Sequence, residues 1–80
     1  MSDDITARVL QVVKETTGKT GILAEDQLLE KGTIDSFDII NLIEAFEGAF
    51  GIIVPADAIV PANFGRVSDM ARLVASLSSR

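Results

Sequence analysis

The chain has no cysteine and no histidine among its 80 residues. Without cysteine no disulfide staples the fold and no thiolate holds a metal. Without histidine, Ser–His and Cys–His nucleophilic catalysis are excluded, along with the usual zinc ligands. Stability must therefore come from aliphatic packing, and an apolar fraction of 48% supplies the material for it. No stretch reaches the ~20 apolar residues of a membrane span, so no membrane insertion is expected. The opening Met1-Ser2-Asp3-Asp4 is acidic and lacks the apolar region of a signal peptide, so a cytoplasmic protein is expected, acting as a monomer. Residues 1–80 read as a single domain with no internal repeat.

Base is also missing where it would matter. Between Lys31 and Arg66 there is no Lys or Arg, whereas Asp35, Asp38, Glu44, Glu47 and Asp57 all fall in that gap. The remaining seven acids balance the seven bases, so the whole formal charge of −5 belongs to this central stretch. Such a balance argues against nucleic acid and anionic membrane surfaces as partners. Charge alone leaves two readings open: a solvated face that keeps the protein soluble, or a docking surface for basic partners.

The chain is organised around Gly32-Thr33-Ile34-Asp35-Ser36-Phe37-Asp38. Asp35 reads as an N-cap, accepting from the free N–H groups of a first helical turn. Asp38 stands where a capping-box acid would stand and suits the positive end of the helix dipole. Ser36 is then the first residue inside the helix, beside N–H groups that suit a phosphate. Taken alone, the Asp-Ser pair is only a cap, since such pairs open many helices.

The helix it opens spans Ser36 to Phe50. At 100° per residue, Ile39, Leu42, Ile43, Phe46, Ala49 and Phe50 share one side and are expected to face the core. Phe37, Ile40, Asn41, Glu44 and Gly48 fall on the opposite side or its edge. Two apolar residues, Phe37 and Ile40, are thus predicted to be at least partly exposed beside Ser36, and they read as a small contact patch.

The flanking chain is helical as well. Asp3 or Ser2 can cap a first helix running to about Thr16, with Ile5, Val9, Val12, Val13 and Thr16 on one side and Gly18 at its end. Residues 17–34 form a long connection. Its Ile22, Leu28, Leu29 and Ile34 are too apolar for a free linker and are expected to pack on the helices. Gly18-Lys19-Thr20 has the letters of a phosphate loop but lacks the upstream glycine and a preceding strand, so it is set aside. Gly51 stops the second helix, Ile52-Ile53-Val54-Pro55 is extended, and Pro55 starts a short helical turn over Ala56 to Ile59. Pro61 breaks the chain again. A last helix from about Arg66 to Ser78 places Val67, Met70, Val74 and Leu77 on one face, with Met70 as core filler. The fold class is all-α: a small bundle of three main helices plus a short helical turn, with a long first loop.

This layout resembles the acyl carrier protein and peptidyl carrier protein family over nearly the whole chain. Asp35-Ser36-Phe37 is similar to the family's Asp-Ser-Leu signature at the start of its second helix. Glu47-Gly48-Ala49-Phe50-Gly51 resembles an acidic run ending in Phe-Gly, and Ile53-Val54-Pro55 follows as it does in the family. The resemblance implies an acyl-carrier-protein-like four-helix bundle in which Ser36 receives a 4′-phosphopantetheine arm from coenzyme A. A separate phosphopantetheinyl transferase would attach it, with Asp35 helping to place magnesium. The arm would hold acyl or aminoacyl groups as thioesters, loaded by a ligase and passed to acyl-processing enzymes in fatty acid biosynthesis or specialised metabolism. Partner recognition would fall to Phe37, Asp38, Ile40, Glu44 and Glu47.

The chain departs from the fatty-acid members in several places. Phe37 stands where leucine or methionine is usual. Asn41, Glu44 and Gly48 stand where those members often carry an acid, a methionine and an acid, so the acidic face is thinned. The spacing Gly32-x-x-Asp35-Ser36 looks more like stand-alone carriers of specialised pathways, including D-alanyl carriers. A different class of function, an unmodified helical adaptor binding through Phe37, Ile40 and the acidic face, requires only that Ser36 be dispensable. An enzyme is not expected, because no acid–base set converges. Nor do Asp35 and Asp38 follow the spacing of a calcium loop.

Overall fold

The structure, a computed structural model, describes residues 2–78, with side chains from Ile5 onward. The side chains of Ser2 and Asp3, expected to cap the first helix, lie outside the described residues. Four helices follow in order: α1 (Ser2–Thr17), α2 (Ser36–Phe50), α3 (Pro61–Phe64) and α4 (Val67–Ser78), with a 3-10 turn at Ala56–Ala58 between α2 and α3. No strand forms among the described residues, and none of their helices is long and apolar enough to cross a membrane.

The apolar periods of the three long helices close on one core. Val9 and Val13 enter it from α1, Leu42 and Phe46 from α2, and Val67, Met70, Val74 and Leu77 from α4. α1 packs against both α4 and α2, while α2 meets α4 only sparingly. That uneven cover explains one departure from the expected faces. Ala49 is exposed rather than core-facing, and Ile39, Ile43 and Phe50 are half-buried. The Arg8 guanidinium lies 4.7 Å from the centre of the Phe50 ring, a cation–π cover for a ring the helices leave open.

Gly18 and Gly51 terminate α1 and α2 with φ of 73° and 65°, the left-handed conformation that favours glycine at a helix end. The Gly51 N–H then donates to the Glu47 carbonyl at 3.0 Å. The long first connection is not free. Ile22, Leu28 and Ile34 are buried, and two backbone bonds tie it to the α3–α4 junction. Leu28 N–H donates to Gly65 O at 2.8 Å and Ser68 N–H to Ala24 O at 3.0 Å.

Three local expectations are corrected. Pro61 does not merely break the chain. It opens α3 at its first position, where its fixed φ suits a helix and its missing N–H costs nothing. The last helix begins at Val67, not Arg66, and the turn after Pro55 ends at Ala58, with Ile59 as its cap. Near the start of α4, Asp69 is 7% exposed and is held by Arg66 Nε and an Arg72 terminal nitrogen, each at 3.2 Å. Arg66 also reaches Glu25 of the first loop at 3.6 Å. A buried carboxylate with two charged donors is satisfied, and Arg66, shared between Asp69 and Glu25, links the first loop to the start of α4.

Candidate functional site

The head of α2 is built by a reciprocal cap. Asp35 has φ −129° and ψ −173°, outside the helical region, so its side chain can turn back over the first turn. Asp38 N–H donates to Asp35 Oδ1 at 3.0 Å, and Asp35 N–H donates to Asp38 Oδ2 at 3.2 Å. Ile39 N–H takes the Asp35 carbonyl at 3.0 Å. The capping box expected from the Asp-x-x-Asp spacing is therefore present.

These bonds serve Asp38 and Ile39 and leave the first two N–H groups of the helix over. Those of Ser36 and Phe37 find no acceptor among the described residues. Ser36 is exposed, and its hydroxyl makes no hydrogen bond among them either. An exposed hydroxyl beside two open N–H groups, at the positive end of a 15-residue helix, fits a phosphodiester. Asp35 keeps Oδ2 clear of the cap, so one carboxylate oxygen stays available at the same corner.

Phe37 and Ile40 are exposed, at 69% and 57%, as their angles around α2 required. Ile40 and Ser36 line one groove of about 460 Å³ together with Leu29, Ile39, Ile59, Val60, Pro61 and Phe64. Ser36 is the sole polar residue on it. Phe64, wholly buried, is part of its lining, while Ile59 and Val60 are 43% and 41% exposed on the far side.

Sequence reasoning assigned no part to Ile59 and Val60. They follow Ser36 by more than twenty residues, and only the turn after Pro55 and the start of α3 at Pro61 bring them back. The available signal was the Ile-Val-Pro triplet, in which the proline holds Val60 extended directly after the turn that Ile59 caps.

The expected recognition acids divide. Glu44 is exposed. Glu47 is half-buried, and its Oε2 accepts the Val54 N–H at 3.1 Å, which fastens the extended stretch 52–55 to the end of α2. Asp38 is half-buried and engaged in the cap.

A family model described as the phosphopantetheine attachment site matches residues 7–74. Comparison with curated proteins gave no match.

Proposed function

Since the chain belongs to the phosphopantetheine-attachment family, whose carrier domains bear covalent 4′-phosphopantetheine and work with phosphopantetheinyl transferases and biosynthetic enzymes, we propose that Ser36 is the attachment residue and that the protein carries acyl or aminoacyl groups. The observation that carries this reading is the exposed Ser36 hydroxyl beside the two N–H groups that have no acceptor at the head of α2. The Ser36 hydroxyl displaces the adenosine bisphosphate portion of coenzyme A, and a phosphodiester to Ser36 forms. The chain has no histidine, so the hydroxyl proton leaves to a base on the transferase. The N–H groups of Ser36 and Phe37 hold the phosphodiester oxygens against the positive end of the helix.

The attached arm supplies the reactive thiol that a chain without cysteine lacks, and holds cargo as a thioester. Loading by an acyl- or aminoacyl-activating ligase and use by acyl-processing enzymes in fatty-acid-like or specialised biosynthesis follow from that chemistry. The chain itself contributes no catalysis. Of the residues expected to meet partners, Phe37 and Ile40 are the exposed apolar ones beside Ser36, and they form the surface that partners recognise.

The test is intact mass after incubation with coenzyme A, magnesium and a broad-specificity transferase. A gain of one phosphopantetheine is expected. No gain by folded protein across several transferases would favour an unmodified adaptor.

Asp35 has two roles in this account, and two variants separate them. Asp35→Ala should destabilise the fold by about 1 kcal/mol through the lost cap and slow modification. Asp35→Asn keeps a capping oxygen and should restore stability without restoring the rate. Equal modification rates in all three proteins would confine Asp35 to capping. Phe37→Ala should raise the KM of modification about tenfold, the scale of one exposed aromatic anchor, with helix content unchanged. Loss of circular dichroism in that variant would mean that Phe37 supports the fold.

A further inference from the structure

Among the described residues six large apolar side chains are exposed, and four of them stand around Ser36: Phe37, Ile40, Ile59 and Val60. The other two, Leu23 and Ile53, line no groove with Ser36. The groove that Ser36 shares with Ile40, Ile59 and Val60 is otherwise lined by apolar residues, the wholly buried Phe64 among them.

The acids of the same region are in a different position from the one their count implies. Asp35 and Asp38 each give one carboxylate oxygen to the capping box, where the head of α2 offsets their charge. Glu47 gives an oxygen to Val54 N–H and is half-buried. Of the five acids in the stretch without base, only Glu44 and Asp57 are exposed and outside any hydrogen bond or ion pair among the described residues.

We infer that the transferase docks on this face through apolar contact, with one of its own apolar side chains seated between Ile40 on α2 and the Ile59-Val60 pair. Electrostatic steering is secondary. The inference rests on Ser36 being the attachment residue. The occupant follows from continuity: Ser36 is part of the groove wall, so an enzyme that brings coenzyme A to its hydroxyl must cover the groove. Burying aliphatic surface there stabilises the complex independently of ionic strength, whereas contacts of exposed charge are screened within about 10 Å at ordinary salt. Ile59 and Val60 thereby join Phe37 and Ile40 as determinants of recognition.

The experiment measures kcat/KM for phosphopantetheine transfer from coenzyme A at low and high salt. It compares the wild type, the double variant Ile59→Ser/Val60→Ser, the single variant Ile40→Gln, and the charge variant Glu44→Gln/Asp57→Asn. Ile40→Gln places a good helix former at an exposed position, so it keeps the test valid if the double variant melts early. The apolar variants should lose about tenfold or more in kcat/KM, by the same factor at both salt concentrations. The wild type and the charge variant should differ by less than about threefold, and salt should change the wild type by no more than that.

A steep fall of the wild-type rate with salt, reproduced by the charge variant, would overturn the inference while leaving the attachment residue in place. So would normal modification of the apolar variants combined with faster hydrolysis of their acyl thioesters, which would give the groove to the cargo. Failure of the wild type to be modified would overturn the carrier reading and this inference with it.

Discussion

Ser36→Ala is expected to abolish phosphopantetheine attachment completely while leaving the unfolding free energy within about 0.5 kcal/mol of the wild type. The two halves of that expectation have separate physical grounds. The cap of α2 is Asp35, whose carboxylate and carbonyl serve Asp38 and Ile39. The Ser36 hydroxyl takes no part in it and makes no hydrogen bond among the described residues. Alanine at the first helical position removes only an exposed oxygen, and its helix propensity is the best of all residues. Attachment, by contrast, requires a hydroxyl beside open N–H groups at a helix head, and Ser76, though exposed, sits in the last turn of α4 at the negative end of that helix. Ser68 is half-buried at the head of α4, and Ser78 turns its hydroxyl onto the Val74 carbonyl at 2.6 Å. A thermal melt beside an intact-mass measurement checks both halves. Retained modification in the alanine variant would remove Ser36 from the site, and a large drop in stability would show that the serine supports the helix.

Phe64→Ala should cost about 3–5 kcal/mol of stability. The total for a domain of this size is about 4–12 kcal/mol, so the variant should lose a large share of its stability and unfold at a much lower denaturant midpoint. Phe64 is wholly buried although it belongs to a helix of only four residues. Such a helix has no independent stability, so α3 exists because this ring is anchored in the core with Leu28, Val67 and Met70. The same ring is part of the lining of the groove beside Ser36. Phe64→Leu, a smaller loss of volume, should retain most of the stability and separate packing from groove shape. Denaturant titration followed by far-UV circular dichroism measures both variants. A cost below about 1 kcal/mol for the alanine variant would contradict the placement of Phe64.

The periodic parts of the fold were legible before the structure. Val9 and Val13, Leu42 and Phe46, and Met70 and Val74 each stand about one helical turn apart within longer apolar periods, and Gly18 and Gly51 mark the ends. The head of α2 was legible because a capping box is local: Asp35 and Asp38 find each other three residues apart. What escaped is non-local or too short to have a period. α3 offers one turn, and its opening proline reads equally well as a break. The bond from Val54 to Glu47 spans seven residues across a helix end, so Glu47 was expected only as a recognition residue and its backbone bond did not show. Asp69 drew no expectation from its spacing, yet the fold buries it between two arginines. Ala49 failed for another reason: the angle around α2 was right, but α4 covers that helix only sparingly. The far wall of the groove, Ile59 and Val60, depends on the path of the chain after Pro55, which no spacing rule gives.

The attachment of the arm to Ser36 is tested most directly by peptide mapping of the transferase-treated protein with tandem mass spectrometry. One phosphopantetheine on the peptide that contains Asp35-Ser36-Phe37, with the fragment series placing it on Ser36, is the expected result. An arm on any other serine or threonine, or none on folded protein, would contradict it.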